Sequence, residues 1–480
     1  MVDSIDLKER DAFYWYCQMD KATTVAAKKV GLIQPDNAAI TANAITSVIE
    51  HGKQLTSNKP TDYLQVQSIL HNIAGPDVSR MHSGRSRQCM LATLHRLFLR
   101  DRFVHVLFKL NEVRELMLKV GFQYAETIVP AYTNGVQAQP VTFGHLMCGY
   151  EAALQRTTQR FIENYKRLNM SPLGAAALAT TRFKVDRPYL AQLLGFDSCA
   201  ENAFDAAQIA VFDVGAETAQ NASLIGLSLS TFIQDIHVQF HHSTSWILID
   251  NNDLFSPSTL MPQKRNPVVL NRARLLASEL VGASVTAIMV GHNVNSGMTD
   301  YKRFDAANTL NISLNLLDEV AGILKGIRID NKAALNEICQ EYSTSSELVA
   351  AMQDIAHIPL SVGHSFVSKL VDVARIDGVS LQQMHFEKVK QIYYEVINAE
   401  SSNEWNDFPL DEYQYLNAID PSNMVNSYNG LGGSSPLEVI RMLDVSKENL
   451  ENDRIWLANT IEKLNSADVE LNYEFSMLNV

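Results

Sequence analysis

The stretch Ser256-Pro-Ser-Thr-Leu-Met-Pro-Gln-Lys-Arg-Asn-Pro267 gathers the side chains best suited to chemistry: the hydroxyls Ser258 and Thr259, the ammonium Lys264 and the amide Asn266. Its prolines restrict the backbone, so these groups are presented with little entropy left to lose. The apolar run from Val268 to Val290 reads as a helix, which puts the loop at a helix N-terminus, where negative charge is favoured. A hydroxyl acting as base beside an ammonium and an amide can take a proton from a carbon next to a carboxylate. The donors then stabilise the charge that gathers on the carboxylate oxygens. The bland alternative is a Ser/Pro-rich loop that only caps a helix. A second group, Arg85, Ser86, Arg87 and Gln88, sets two guanidinium forks beside two polar side chains, a pattern that suits bidentate carboxylate binding. The alternative there is a surface arginine pair. His237, His241 and His242 recur at helical spacing, but no carboxylate or cysteine completes a ligand set, so no metal is expected.

The elements that must position these groups read as helices. Ile225, Leu229, Phe232, Ile233, Ile236 and Phe240 recur at three- and four-residue spacing, as do Leu310, Leu314, Leu317, Ala321 and Leu324. Uncharged stretches such as Thr218 to Gln234 suit helices buried on several sides in a large bundle. No strand-turn-strand pattern, Gly-x-Gly-x-x-Gly or Walker loop stands out, which disfavours nucleotide-binding α/β folds. At 480 residues the chain is long enough for two or three domains. Soft boundaries suggest an N-terminal helical domain over 1–85, a central long-helix bundle over 86–343 and a C-terminal helical domain over 344–480.

Charge and cysteine usage exclude other classes. The net charge of -13 comes with no basic run, so nucleic acid is not an expected partner. The five cysteines are widely spaced with no Cys-x-x-Cys pair, which fits reduced thiols in a cytoplasm. The N-terminus is acidic where a signal peptide would be basic, and the apolar run Leu280 to Gly291 reads as too short for a bilayer. No membrane partner is expected.

The loop string resembles the signature of the fumarase/aspartase superfamily, Gly-Ser-Ser-x-Met-Pro-x-Lys-x-Asn-Pro. Other segments narrow the resemblance to argininosuccinate lyase and its relatives. These are His82-Ser-Gly-Arg-Ser-Arg-Gln88, Tyr132-Thr-Asn-Gly-Val-Gln-Ala-Gln-Pro-Val-Thr-Phe-Gly-His145, Ser171-Pro-Leu-Gly174, Asn202-Ala-Phe-Asp-Ala206 and Asn426-Ser-Tyr-Asn-Gly-Leu-Gly-Gly-Ser434. They occur in family order over nearly the whole chain. The resemblance implies an all-α, three-domain fold whose central helices pair into a homotetramer, with each active site drawn from three chains. It implies a C–N lyase of amino-acid metabolism that eliminates fumarate from an N-substituted aspartate such as argininosuccinate, without cofactor. In that reading Ser258 takes the proton, with Thr259 in reserve, while Lys264 and Asn266 stabilise the anion. Ser86, Arg87, Gln88 and Thr133 hold the dicarboxylate part, and Asn134, Gln139, Asn271, Tyr301 and Lys302 complete the substrate-binding set.

The departures are chemical. Pro257 replaces the loop glycine and Thr259 the second serine. Asn134 stands where the family has a histidine, and Asn271 where it has the glutamate paired with that histidine. A His–Glu couple can move a proton, whereas an Asn–Asn couple can only exchange hydrogen bonds. His145 reads as a helix-packing residue and does not replace the missing one. The segment Asn293 to Ala306 departs from the one that handles the arginine part in argininosuccinate lyases. The alternatives are a binding or partner subunit without catalysis, or another reaction on the scaffold such as a cycloisomerisation.

Overall fold

The computed structural model describes residues 10–54, 59–242, 245–250, 255–298, 305–399, 405 and 407–479. Tyr301 and Lys302 lie outside them. Helices α1 (Ala12–Lys29), α2 (Pro35–Gln54) and α3 (Tyr63–Ala74) open the chain, followed by the long α4 (Arg87–Gln123). A hairpin, β1 (Ile128–Thr133) and β2 (Val136–Thr142), leads into α5 (Phe143–Leu168). The short strands β3 (Met170–Ser171) and β4 (Ser198–Cys199) flank α6 (Arg187–Leu193) and precede α7 (Ala210–Gln239). Next come β5 (Ile247–Ile249), the pair β6 (Ser256–Pro257) and β7 (Arg265–Asn266), α8 (Val268–Gly291), α9 (Asp305–Gly326) and β8 (Ile327–Ile329). Helices α10 (Asn331–Gln340), α11 (Ser345–Ala356), α12 (Leu360–Asp377), α13 (Phe386–Ala399), α14 (Glu412–Ala418), α15 (Pro421–Ser427) and α16 (Pro436–Ser476) complete it.

Among the described residues, three large apolar clusters and a smaller fourth, where Val439 and Leu443 of α16 meet Leu118 and Cys148, organise these helices. The central one joins α4, α5, α7, α8 and α9 through residues such as Phe103, Leu107, Phe161, Ile225, Phe232 and Leu317. The spacing expected for α7 is what buries it, since Ile225, Leu229, Phe232, Ile233 and Ile236 all lie in this core. At Gly226 a side chain would run into the Ala277 carbonyl of α8, so a glycine lets the two helices approach closely. A second cluster holds α1 to α3 against the start of α4 and includes Leu173 and Leu190. A third runs from Leu348 to Ile419. Helix α16, though last in sequence, returns along α4 and α5: buried Arg114 of α4 donates to Glu151 of α5 at 2.8 Å and to Asp453 of α16 at 2.6 Å.

Two expectations need correction. The hairpin β1–β2 is a strand-turn-strand unit within an otherwise helical fold. Its turn has Asn134 at φ 52° and Gly135 at φ 76°, and paired positive φ values are the Asn-Gly signature of a tight hairpin turn. The apolar run ending at Gly291 is also longer than expected. Helix α8 has 24 residues and is apolar and long enough to cross a membrane by length and composition alone. It buries one side against α7 and α9 and leaves the other exposed, and its Arg272 holds Glu319 of α9 at 2.9 Å.

Candidate active site

The Ser258 loop is closed by a minimal ladder. Ser256 pairs with Asn266 and Pro257 with Arg265, and the Asn266 amide donates to the Ser256 carbonyl at 3.2 Å. Asn266 therefore braces the loop in this state. Between the strands the chain turns so that the Ser258 hydroxyl oxygen accepts backbone N–H groups from Met261 at 3.0 Å and Leu260 at 3.3 Å. Such donors favour negative charge on that oxygen, as does the N-terminus of α8 directly after the loop. Ser258 is half-buried, whereas Thr259 and Lys264 are exposed. Asn271 is exposed in the first turn of α8.

Thr133 and Asn134 occupy the exposed tip of the β1–β2 hairpin. The left-handed backbone at Asn134 suits asparagine better than most side chains, so the amide has a structural reason to be there. Gln139, on β2, donates to the Tyr428 hydroxyl at 3.4 Å. His145 sits half-buried in the first turn of α5, and burial lowers its pKa.

At the start of α4, Ser86 is the N-cap and accepts the Gln88 N–H at 3.2 Å, while the Cys89 sulfur takes the Ser86 N–H at 3.3 Å. Gln88 donates through its side chain to the Gly297 carbonyl at 3.0 Å. Arg87 is half-exposed and grips Asp62 at 2.5 Å, so a dicarboxylate would meet a guanidinium already presented outward. Arg85 behaves differently. It is buried and bonds Asp20 and the Tyr63 hydroxyl at 2.5 Å and Thr23 at 2.7 Å. The two adjacent guanidiniums therefore do not form a surface pair: one faces the N-terminal core and one faces solvent. Asp62 is a member that the sequence reading missed. Its capping box with Gln65 was legible, but its pairing with Arg87 had no local signal.

The helices set these groups at opposite ends. Gly291, the last residue of α8, lies against Phe212 at the start of α7, and it shares a small void with His95, near the start of α4. The Ser86–Gln88 corner thus lies at the C-terminal end of α8. Ser258 precedes the N-terminal end of the same helix, about 35 Å away at 1.5 Å per residue. The hairpin belongs to the Ser258 end, because Tyr132 accepts from Trp246 at 3.4 Å and Phe240 stacks near Phe255 at 6.3 Å. Within one chain, the sequence-derived residues form two groups, not one pocket. Among the described residues no group of three or more His, Cys, Asp or Glu is placed to hold a metal ion.

Comparison with known proteins places this arrangement. The family model described as "Lyase" matches residues 7–282. The argininosuccinate lyase of a Geobacillus species is 30% identical over 431 residues, covering 88% of this chain and 89% of that protein. That of Methanocaldococcus jannaschii is 29% identical over 464 residues, covering 95% and 92%. Among solved structures, an EDDS lyase variant with bound fumarate superposes with a TM-score of 0.90 at 23% identity, covering 100% of this chain and 94% of that one. The 3-carboxy-cis,cis-muconate lactonizing enzyme from Pseudomonas putida gives 0.70 at 17% identity, covering 91% and 94%. With its all-α fold and its signature loop ahead of α8, the chain belongs to this lyase family, in the fumarase/aspartase superfamily and close to argininosuccinate lyase.

Proposed function

We propose that the protein is a carbon–nitrogen lyase that eliminates fumarate from an N-substituted aspartate, argininosuccinate among the candidates, or runs the reverse amine addition. The observation that carries this reading is the Ser258 oxygen, which receives two backbone N–H groups at the turn before α8. Those donors lower the cost of an alkoxide there, which makes the hydroxyl a usable base. Ser258 takes the Cβ proton. Lys264 and Asn266 stabilise the resulting aci-carboxylate, with Asn266 exchanging its brace on Ser256 for substrate. Ser86, Arg87, Gln88 and Thr133 hold the carboxylates; Gln139 and, outside the described residues, Tyr301 and Lys302 complete the substrate-binding set. The Cα–N bond then breaks with the electron pair going to nitrogen. Asn134 and Asn271 donate hydrogen bonds but no proton, so the leaving amine is protonated by water, by another residue or by the substrate itself. The absence of a His–Glu couple sets turnover about 10² to 10⁴-fold below an acid–base-assisted site.

Because the two groups lie at opposite ends of α8, the complete site in this reading is shared between copies of the chain. A homotetramer also fits the exposed apolar side chains Leu275, Val281, Val285 and Met289 on α8, which one chain leaves uncovered. The five free cysteines fit a reducing compartment such as the cytoplasm.

Fumarate release, followed by absorbance over a panel of N-substituted aspartates, tests the activity. Ser258→Ala should abolish release while sparing succinate binding. A parent protein inactive on the whole panel that still binds dicarboxylates would support the second reading, a binding subunit. The observation behind that reading is the pair of exposed amides at Asn134 and Asn271. Turnover of a muconate-type substrate without fumarate release would instead identify a cycloisomerase.

A further inference from the structure

Behind the β1–β2 hairpin lies a cavity of about 330 Å³ that no step of the proposed reaction uses. Phe143 and Met147 of α5, Phe232 of α7 and Trp246 give it an apolar wall. Its size is at the small end of the usual ligand-site range. Pro130 through Tyr132 and Gly135 line it too, so its occupant would touch the turn that carries Thr133 and Asn134.

The polar lining is one-sided. Tyr150 donates its hydroxyl to Asp235, and Tyr132 donates to Glu337. Burial, with those carboxylates, raises both phenols above their ordinary pKa and keeps them neutral. Gln239 is 3% exposed; its amide bonds Tyr132, but among the described residues its side-chain oxygen has no hydrogen-bond partner. A buried amide oxygen without a donor is uncommon in a folded protein and points to something that supplies one. Asp235 and Gln239 stand four residues apart on α7, so their acceptors share one face of the helix. His242 also lines the cavity, with Nδ1 3.7 Å from Glu337, and no lysine or arginine does so among the described residues.

We infer that this cavity binds a small organic cation: a protonated primary amine on an aromatic or branched apolar body. The ammonium carries three donors and spans the Asp235 carboxylate and the Gln239 oxygen. The body lies against Phe143, Phe232 and Trp246, whose ring faces also favour a nearby cation. An anion of the same shape meets no lysine or arginine among the described lining residues and faces the Asp235 carboxylate. A neutral isostere gains only the apolar contact.

The test uses the full-length protein and three probes of one shape, benzylamine, benzyl alcohol and benzoate, in calorimetry at neutral pH. Benzylamine should bind about tenfold tighter than benzyl alcohol, the scale of one charge-assisted hydrogen bond. Benzoate should bind weakest. Asp235→Asn, at an exposed position that leaves the core intact, should remove the preference for the amine and leave the alcohol unchanged. Gln239→Met should weaken the amine several-fold. Benzylamine should also change the tryptophan fluorescence, and Trp246→Phe should abolish that change. The assignment is overturned if the amine binds no tighter than the alcohol, if Asp235→Asn leaves the amine's affinity unaltered, or if the fluorescence change survives in Trp246→Phe.

Discussion

The two ends of the bundle present their polar residues in opposite ways. At the start of α4 almost everything is held. Ser86 caps the helix, Gln88 is tied to Gly297, Arg87 rests on Asp62, and Arg85 is locked beneath them with Asp20 and Tyr63. At the start of α8 the groups sit on a loop closed by two residue pairs, with Leu260 84% exposed and Ser258 bonded, among the described residues, only to its own turn. The first end resembles a finished half of a binding site. In the proposed reading the second is a presented half, whose enclosing surface comes from another copy of the chain. Fixing the proposed carboxylate-holding end and exposing the proposed reactive loop is the division expected if several copies of one chain share a site, since the loop then closes on a partner without strain in its own core.

The largest effect that sharpens this contrast is at Arg85. Arg85→Ala leaves the Asp20 carboxylate buried without its partner, so unfolding in urea should show a loss of about 3 to 5 kcal/mol. A loss under about 1 kcal/mol would mean that the α4 end is not the pre-built half. Arg87→Ala, two residues on, should leave stability nearly unchanged because Arg87 is half-exposed. It should weaken succinate binding by about 2 to 5 kcal/mol if the ligand pair is desolvated. Unchanged binding in calorimetry would remove Arg87 from the carboxylate group.

A smaller effect is in pH. The Arg85 side chain donates to Nδ1 of His82 at 3.1 Å, and burial followed by the Arg85 charge lowers the His82 pKa from 6.5 to about 2. Folded His82 is therefore neutral, while the unfolded chain protonates it below about pH 6.5. The sign follows from linkage. Above pH 6.5 the residue contributes no pH dependence. As the pH falls below that value, the unfolded state binds the extra proton and stability drops by about 1.4 kcal/mol per pH unit. His82→Gln should remove that share of the slope between pH 6 and 4, measured by urea unfolding. An unaltered slope would show His82 charged in the folded state.

These regions also differ in how much of them the sequence discloses. The helical periods of α7 and α9, and the position of the Ser258 loop at a helix N-terminus, follow from local spacing and were legible. The hairpin was missed: Asn134-Gly135 carries its turn signal, but the surrounding helical pattern hid it. The fate of Arg85 was not, because its partner Asp20 lies far away in sequence and nothing in the local pattern distinguishes it from Arg87. The division of the candidate residues between two ends had no sequence signal either. It depends on the antiparallel run of α7 and α8, which only packing reveals. The return of α16 to α4 and α5 is of the same kind, fixed by Arg114 reaching Asp453.

The central claim is that the Ser258 loop and the Ser86–Gln88 corner act together only across chains. Ser258→Ala, and Arg87→Ala at substrate concentrations too low for its weakened binding, should each be inactive alone and recover activity when co-expressed and co-purified as mixed oligomers. Random assembly predicts roughly a quarter of the parental fumarate release, because a quarter of the sites receive an intact loop from one chain and an intact corner from another. Mixed oligomers, verified by differential tags, that stay as inactive as either variant alone would contradict the account.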